Sequence, residues 1–125
     1  MQPQYPPINA RSYSTPVFGR CISSADRHHW VMDHATWQDG PGDQPGPIEH
    51  FLSGVTACGV LMVERQAKLR DIPLRALDVR IEAVRKDEAE IGDGPATLKT
   101  ATLWFELDGP SQEQADLLVD YYRRH

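Results

Sequence analysis

The residue best suited to chemistry is Cys58, which sits in an uncharged run, Phe51-Leu-Ser-Gly-Val-Thr-Ala-Cys-Gly-Val-Leu-Met-Val63, approached through Gly46-Pro47-Ile48-Glu49-His50. A thiol placed there, buried on a long helix, is either silent core or a sheltered nucleophile. Gly54, Thr56, Ala57 and Gly59 are small enough to let another helix or backbone come close. A buried cysteine is ordinarily a small hydrophobe. A reactive one needs a cation or a helix N-terminus beside it to hold the thiolate. Cys58 lies about ten residues into the expected helix, and the helix dipole fades after the first turn. A cation must therefore be delivered from a distant segment.

Glu49 precedes Cys58 by nine residues. At about 100° per residue that puts it on the opposite side of a continuous helix. It could meet Cys58 through an irregular first turn or a partner chain. Two further readings stand side by side: Glu49 orients an arginine, or it complements the positive end of the helix. Cys21 follows Arg20 in a strand-like run, and neighbours in a strand face opposite ways. Arg20 therefore does not activate Cys21, which reads as a buried strand cysteine. A Cys21–Cys58 disulfide is conceivable but not expected.

The histidines give little. His28 and His34 share a strand face but stand roughly 20 Å apart, and His29 faces the other way. With no Cys-x-x-Cys or His-x-x-x-His spacing, no metal site is expected, and no cofactor motif is present. Gly40-Pro-Gly42 and Gly46 lack the lysine of a phosphate loop and read as turn residues.

The elements that must hold Cys58 fit one soluble domain. The chain has 125 residues, 40% apolar and 25% charged, with a formal charge of −5. That charge argues against nucleic acid, which is bound through clustered Lys and Arg. The longest apolar run is about 13 residues, short of the roughly 20 a bilayer requires. No signal peptide is readable at the N-terminus. Two cysteines imply no disulfide framework, so a cytoplasmic, reducing setting is expected.

Residues 1–10 carry three prolines and read as a flexible arm. Two strands are expected at 16–23 and 27–33, with the turn at Ser24-Ala-Asp26; an earlier strand near 11–15 is weakly marked. Residues 37–46 are rich in Gly, Pro and Asp and read as a loop. Pro47 suits the first turn of a helix running from about 48 to 70. Its middle is apolar on every side, which predicts packing all round.

Leu77, Val79, Ile81 and Ala83 alternate with charged residues as in a strand with one buried face. Ala101, Leu103, Phe105 and Leu107 do the same on the returning strand, with the turn near Asp93-Gly94. Trp104 falls on the polar face and suggests a second contact surface. Ser111 and Gln114 form a capping-box pattern. The final helix carries Ala115, Leu118, Val119 and Tyr122 on one stripe. The fold class is α+β.

The segment from Gly46 to Gly59, with its Pro-x-Glu opening, small-residue run and Ala-Cys, resembles the central helix of the OsmC/Ohr family of osmotically inducible and organic hydroperoxide resistance proteins. The order of elements over 16–125 is similar too. The resemblance implies a single OsmC-like domain over 11–125 and an intertwined homodimer with buried central helices. It further implies a cysteine peroxidase acting on organic hydroperoxides in oxidative-stress defence, served by an external thiol or dithiol reductant. By the same resemblance Cys58 is the peroxidatic residue and Glu49 the motif glutamate. The activating arginine is Arg20, with Arg11 second. The family's resolving cysteine, in a Cys-Pro segment, and its last strand would fall beyond His125, so the domain over 11–125 is expected to lack both. The clear hydroperoxidases keep the glutamate ten residues before the cysteine; here that position is Ile48. The alternative implied is a non-catalytic OsmC-like domain that binds a ligand or a partner.

Overall fold

Residues 5–87, 92 and 97–125 are described by the structure, a computed structural model. In chain order they form β1 (Ala10–Ser14), β2 (Arg20–Ala25), β3 (His28–Asp33), a 3-10 turn (Thr36–Gln38), α1 (Pro47–Leu69), β4 (Ala76–Arg85), β5 (Leu98–Asp108) and α2 (Gln112–Arg124). The class is α+β, as expected. The chain divides into two compact units, one running through Phe51 and the other starting at Leu52.

In the first unit β1, β2 and β3 form an antiparallel sheet in that order. The β2–β3 turn centres on Asp26, whose φ of 53° is left-handed, so the hairpin closes one or two residues later than the sequence suggests. The expected strand start at Pro16 is displaced to Arg20. Residues 16–19 turn instead: Gly19 takes a φ of 79°, and Arg20 N–H bonds the Val17 carbonyl at 3.2 Å. The Thr15 hydroxyl accepts from Val17 N–H and lies within bonding distance of the Arg20 carbonyl, at 3.2 and 3.1 Å. The weakly marked first strand is fully formed and begins at Ala10.

α1 starts at Pro47, where the missing N–H costs nothing. Its end is a Schellman motif, in which the N–H of Ile72 bonds Ala67 O at 2.9 Å and that of Asp71 bonds Lys68 O at 3.4 Å. Asp71 supplies the left-handed residue, with φ 53°.

The second unit is built on the β4–β5 hairpin, paired from Ala76↔Asp108 to Arg85↔Leu98. Its core joins Val63, Ala67, Ile72 and Leu118, with Leu77, Phe105, Leu107 and Tyr122 packed against them. Gly59 lets α1 lie close to the hairpin: a side chain there would meet Val79 and Phe105 at 3.4 Å. The capping box on α2 has both bonds, Gln114 N–H to Ser111 Oγ at 3.2 Å and Ser111 N–H to Gln114 Oε1 at 2.9 Å. Trp104 stays exposed, with the guanidinium of its cross-strand neighbour Arg80 4.3 Å over one face of the ring. The expected turn at Asp93-Gly94 lies outside the described residues.

One expectation is corrected. α1 is not packed all round within the chain: it buries Gly59, Val63 and Ala67, while Leu61 remains 63% exposed and Leu69 65%. One hairpin and one helix present a single apolar surface, enough to cover one stripe of α1. Among the described residues no helix is long and apolar enough to cross a membrane.

Candidate functional site

Cys58 lies on the uncovered side of α1 and is exposed, not buried as its apolar surroundings suggest. Its neighbour Gly59 is the residue that turns inward, against Val79 and Phe105. Beside Cys58, Ala57 is also exposed, and no atom approaches the position a Cβ would take at Gly54. The thiol therefore stands on a stripe of small residues that this chain leaves open. Cys58 is free of any disulfide.

Glu49 is the third residue of α1. Its Oε1 accepts the N–H of Gly46 at 3.1 Å. This is half of a capping box, with the side chain reaching back to satisfy a donor that the first turn leaves open. Of the two readings left open by spacing, the helix-end role is the one with a hydrogen bond behind it. The helix is regular from Pro47 onward, so no irregular first turn redirects Glu49.

Arg20 is engaged by carboxylates. Its Nε and Nη2 donate to the two oxygens of Asp33 at 2.8 and 2.9 Å, and Nη2 lies 3.5 Å from Asp43. The fork-to-fork geometry is the strong form of this interaction. The Asp33 side chain is fully enclosed, at 0% exposure. It also accepts the backbone N–H groups of Asp43 and Gln44 at 3.1 and 3.0 Å, while its own N–H bonds Pro45 O at 3.2 Å.

Asp33 thus ties β2, β3 and the segment leading into α1. The Arg20 bond, followed by the two backbone donors, holds its carboxyl below the usual aspartate range against the opposing effect of burial. Asp33 holds the Arg20 guanidinium above its ordinary value. Sequence reasoning missed Asp33. The signal that could have found it is the hairpin register, which sets Arg20 opposite Asp33.

Arg11, the second arginine considered, is exposed, with its guanidinium 4.9 Å over the Tyr13 ring. His50 stacks on Trp30 with ring centres 6.3 Å apart. Among the described residues no group of three or more His, Cys, Asp or Glu is gathered in a way that could hold a metal ion.

Residues 40–125 match the family described as OsmC-like protein. The chain belongs to the OsmC-like family. No curated protein matches this OsmC-like chain significantly in sequence. Its fold is shared with an OsmC-like protein from Mycoplasma pneumoniae, at a TM-score of 0.81 and 17% identity over 98% of this chain and 84% of that one. An organic hydroperoxide resistance protein from Legionella pneumophila superposes at a TM-score of 0.76, with 17% identity over 98% and 85%. One from Elizabethkingia anophelis gives 0.76, with 18% identity over 99% and 85%. At these identities the similarity speaks for the fold alone.

Proposed function

We propose that this OsmC-like protein is a thiol-dependent peroxidase that reduces organic hydroperoxides, with Cys58 as the attacking thiolate. The observation that carries the reading is the exposed, disulfide-free residue Cys58 on α1, within the region that matches the family. Two solved relatives of the same fold bear the name organic hydroperoxide resistance protein. The sulfur attacks the terminal oxygen of ROOH, the O–O bond breaks, and the alcohol leaves with a proton while Cys58 becomes a sulfenic acid. An external thiol then forms a mixed disulfide with Cys58 and releases water. A second thiol, or the other arm of a dithiol, restores the free cysteine.

Glu49 and an arginine of the N-terminal strands support the thiolate in this reading. Arg20 can do so only by loosening its hold on Asp33, whereas Arg11, among the described residues, has no carboxylate bond of that kind. The working form is a cytoplasmic homodimer in oxidative-stress defence. Exposed Leu61 and Leu69 on α1 favour a second copy covering that side of the helix. Leu61→Lys is expected to shift the protein toward monomer in analytical ultracentrifugation; an unchanged mass would remove Leu61 from the interface.

A second reading, a non-catalytic OsmC-like domain that binds a ligand or a partner, is favoured by one observation. Arg20 and Glu49 are both engaged in structural bonds. Turnover of cumene hydroperoxide with a dithiol reductant separates the two readings. The peroxidase reading expects activity that Cys58→Ser abolishes. No activity in the folded wild-type protein would favour the second.

A further inference from the structure

We propose that the end of the N-terminal sheet around Cys21 and Met32 is a binding site for a soft monovalent cation of the Cu(I) class, held by the thiol of Cys21, the thioether of Met32 and the imidazole of His34. The site is separate from Cys58 and does not rest on the peroxidase reading. Cys21 and Met32 are direct partners across β2 and β3. Their side chains therefore leave the sheet on the same face with Cβ atoms about 5 Å apart, a gap that two sulfur ligands of one ion can close.

The ladder continues one step past β3, since His34 N–H donates to Gly19 O at 2.7 Å. His34 thus stands two residues beyond Met32, and alternation returns it to the same face. Opposite His34 is Gly19, and the place a side chain would take there is filled by Gly40 and Pro41 of the following loop, which bound the site at that end. All three residues line one cavity of about 290 Å3. Cys21 and Met32 are half-buried and His34 is exposed, so an ion can enter from the imidazole side.

The donor types choose the ion. Thiolate and thioether ligands select Cu(I), and imidazole suits copper as well. Zinc sites draw four ligands from Cys, His, Asp and Glu. The one carboxylate in the cavity lining, Asp33, is taken up by Arg20 and two backbone N–H groups. That leaves two zinc-type donors and one thioether, a set that favours a soft ion with low coordination number.

The test is anaerobic titration of the reduced full chain with Cu(I) against a chromogenic Cu(I) chelator, with Zn(II) and a zinc indicator in parallel. The wild type and Cys58→Ser should each withdraw one equivalent of Cu(I) and compete poorly for Zn(II). Cys21→Ser, Met32→Leu and His34→Ala should each weaken binding by at least about tenfold, the lower end of what loss of even an outer-shell partner costs a metal site. Met32→Leu preserves volume and His34 is exposed, so these two carry the test if Cys21→Ser fails to fold by circular dichroism. Copper left with the chelator would overturn the proposal. So would wild-type affinity in both Met32→Leu and His34→Ala, or binding that disappears with Cys58→Ser.

Discussion

In the N-terminal sheet the enclosed side chains are polar, Ser23 and Asp33, whereas in the helix and hairpin that follow they are Val63, Ala67, Ile72 and Leu118. The first region is organised by directed bonds. Ser23 and Ser12 share a hydrogen bond of 2.7 Å between hydroxyls, and Asp33 gathers four donors. The second region is organised by removing apolar surface from water. Bonds that depend on ionisation respond to pH, and burial does not. The two regions of this small protein should therefore fail under different conditions.

The largest effect is expected at Leu118, which is fully buried in the second core. Leu118→Ala should cost about 2–5 kcal/mol, as large-to-small core changes do, read as a lower urea midpoint. That loss should be similar at neutral and acid pH. A loss that varies steeply with pH would blur the contrast between the regions.

Next comes Asp33→Asn, which removes the charge that Arg20 faces and unbalances an enclosed network. Because the folded state holds this carboxyl below its ordinary value, the stability it supplies is complete above the unfolded carboxylate pKa of about 3.9 and disappears as pH falls through the lowered folded value. Urea unfolding from neutral pH downward should show the wild type losing part of its stability below about pH 4. The variant should start lower and lack that part of the decline. Parallel curves for both proteins would mean the network does not organise the sheet.

Ser111→Ala should be smaller, about 1 kcal/mol, from loss of the α2 cap. The smallest effect belongs to Asp108→Asn. The Arg75–Asp108 pair is as short as the Arg20 pair, at 2.7 Å, but its side chains are 73% and 63% exposed. Exposed pairs of this kind are screened and contribute little, so its urea midpoint should barely move. A drop matching that of Asp33→Asn would show that distance, not enclosure, sets the strength of these pairs.

What could be read from the sequence follows the same division. The β4–β5 hairpin, the α2 cap and the start of α1 at Pro47 rest on period-two alternation, a four-residue cap and a missing N–H, all local signals. The Asp33 network could not be read that way, because its partner Arg20 is thirteen residues distant and meets it only once the hairpin register is set. Cys58, Glu49 and Arg20 stand out in the sequence as residue types; the helix-end role of Glu49 is one of the two readings its spacing allows, whereas the bond of Arg20 to Asp33 is not legible there. The exposure of Cys58 was misread for a different reason. An apolar helix surface has the same pattern whether the chain covers it or leaves it open.

The central claim is that Cys58 is a nucleophile toward peroxide, and intact-mass spectrometry on the folded protein tests it most directly. Treatment with equimolar cumene hydroperoxide in the presence of a sulfenic-acid trap is expected to add one trap molecule, mapped to Cys58 and absent in Cys58→Ser. An unmodified Cys58 in a folded protein, or a trap found only on Cys21, would contradict the account.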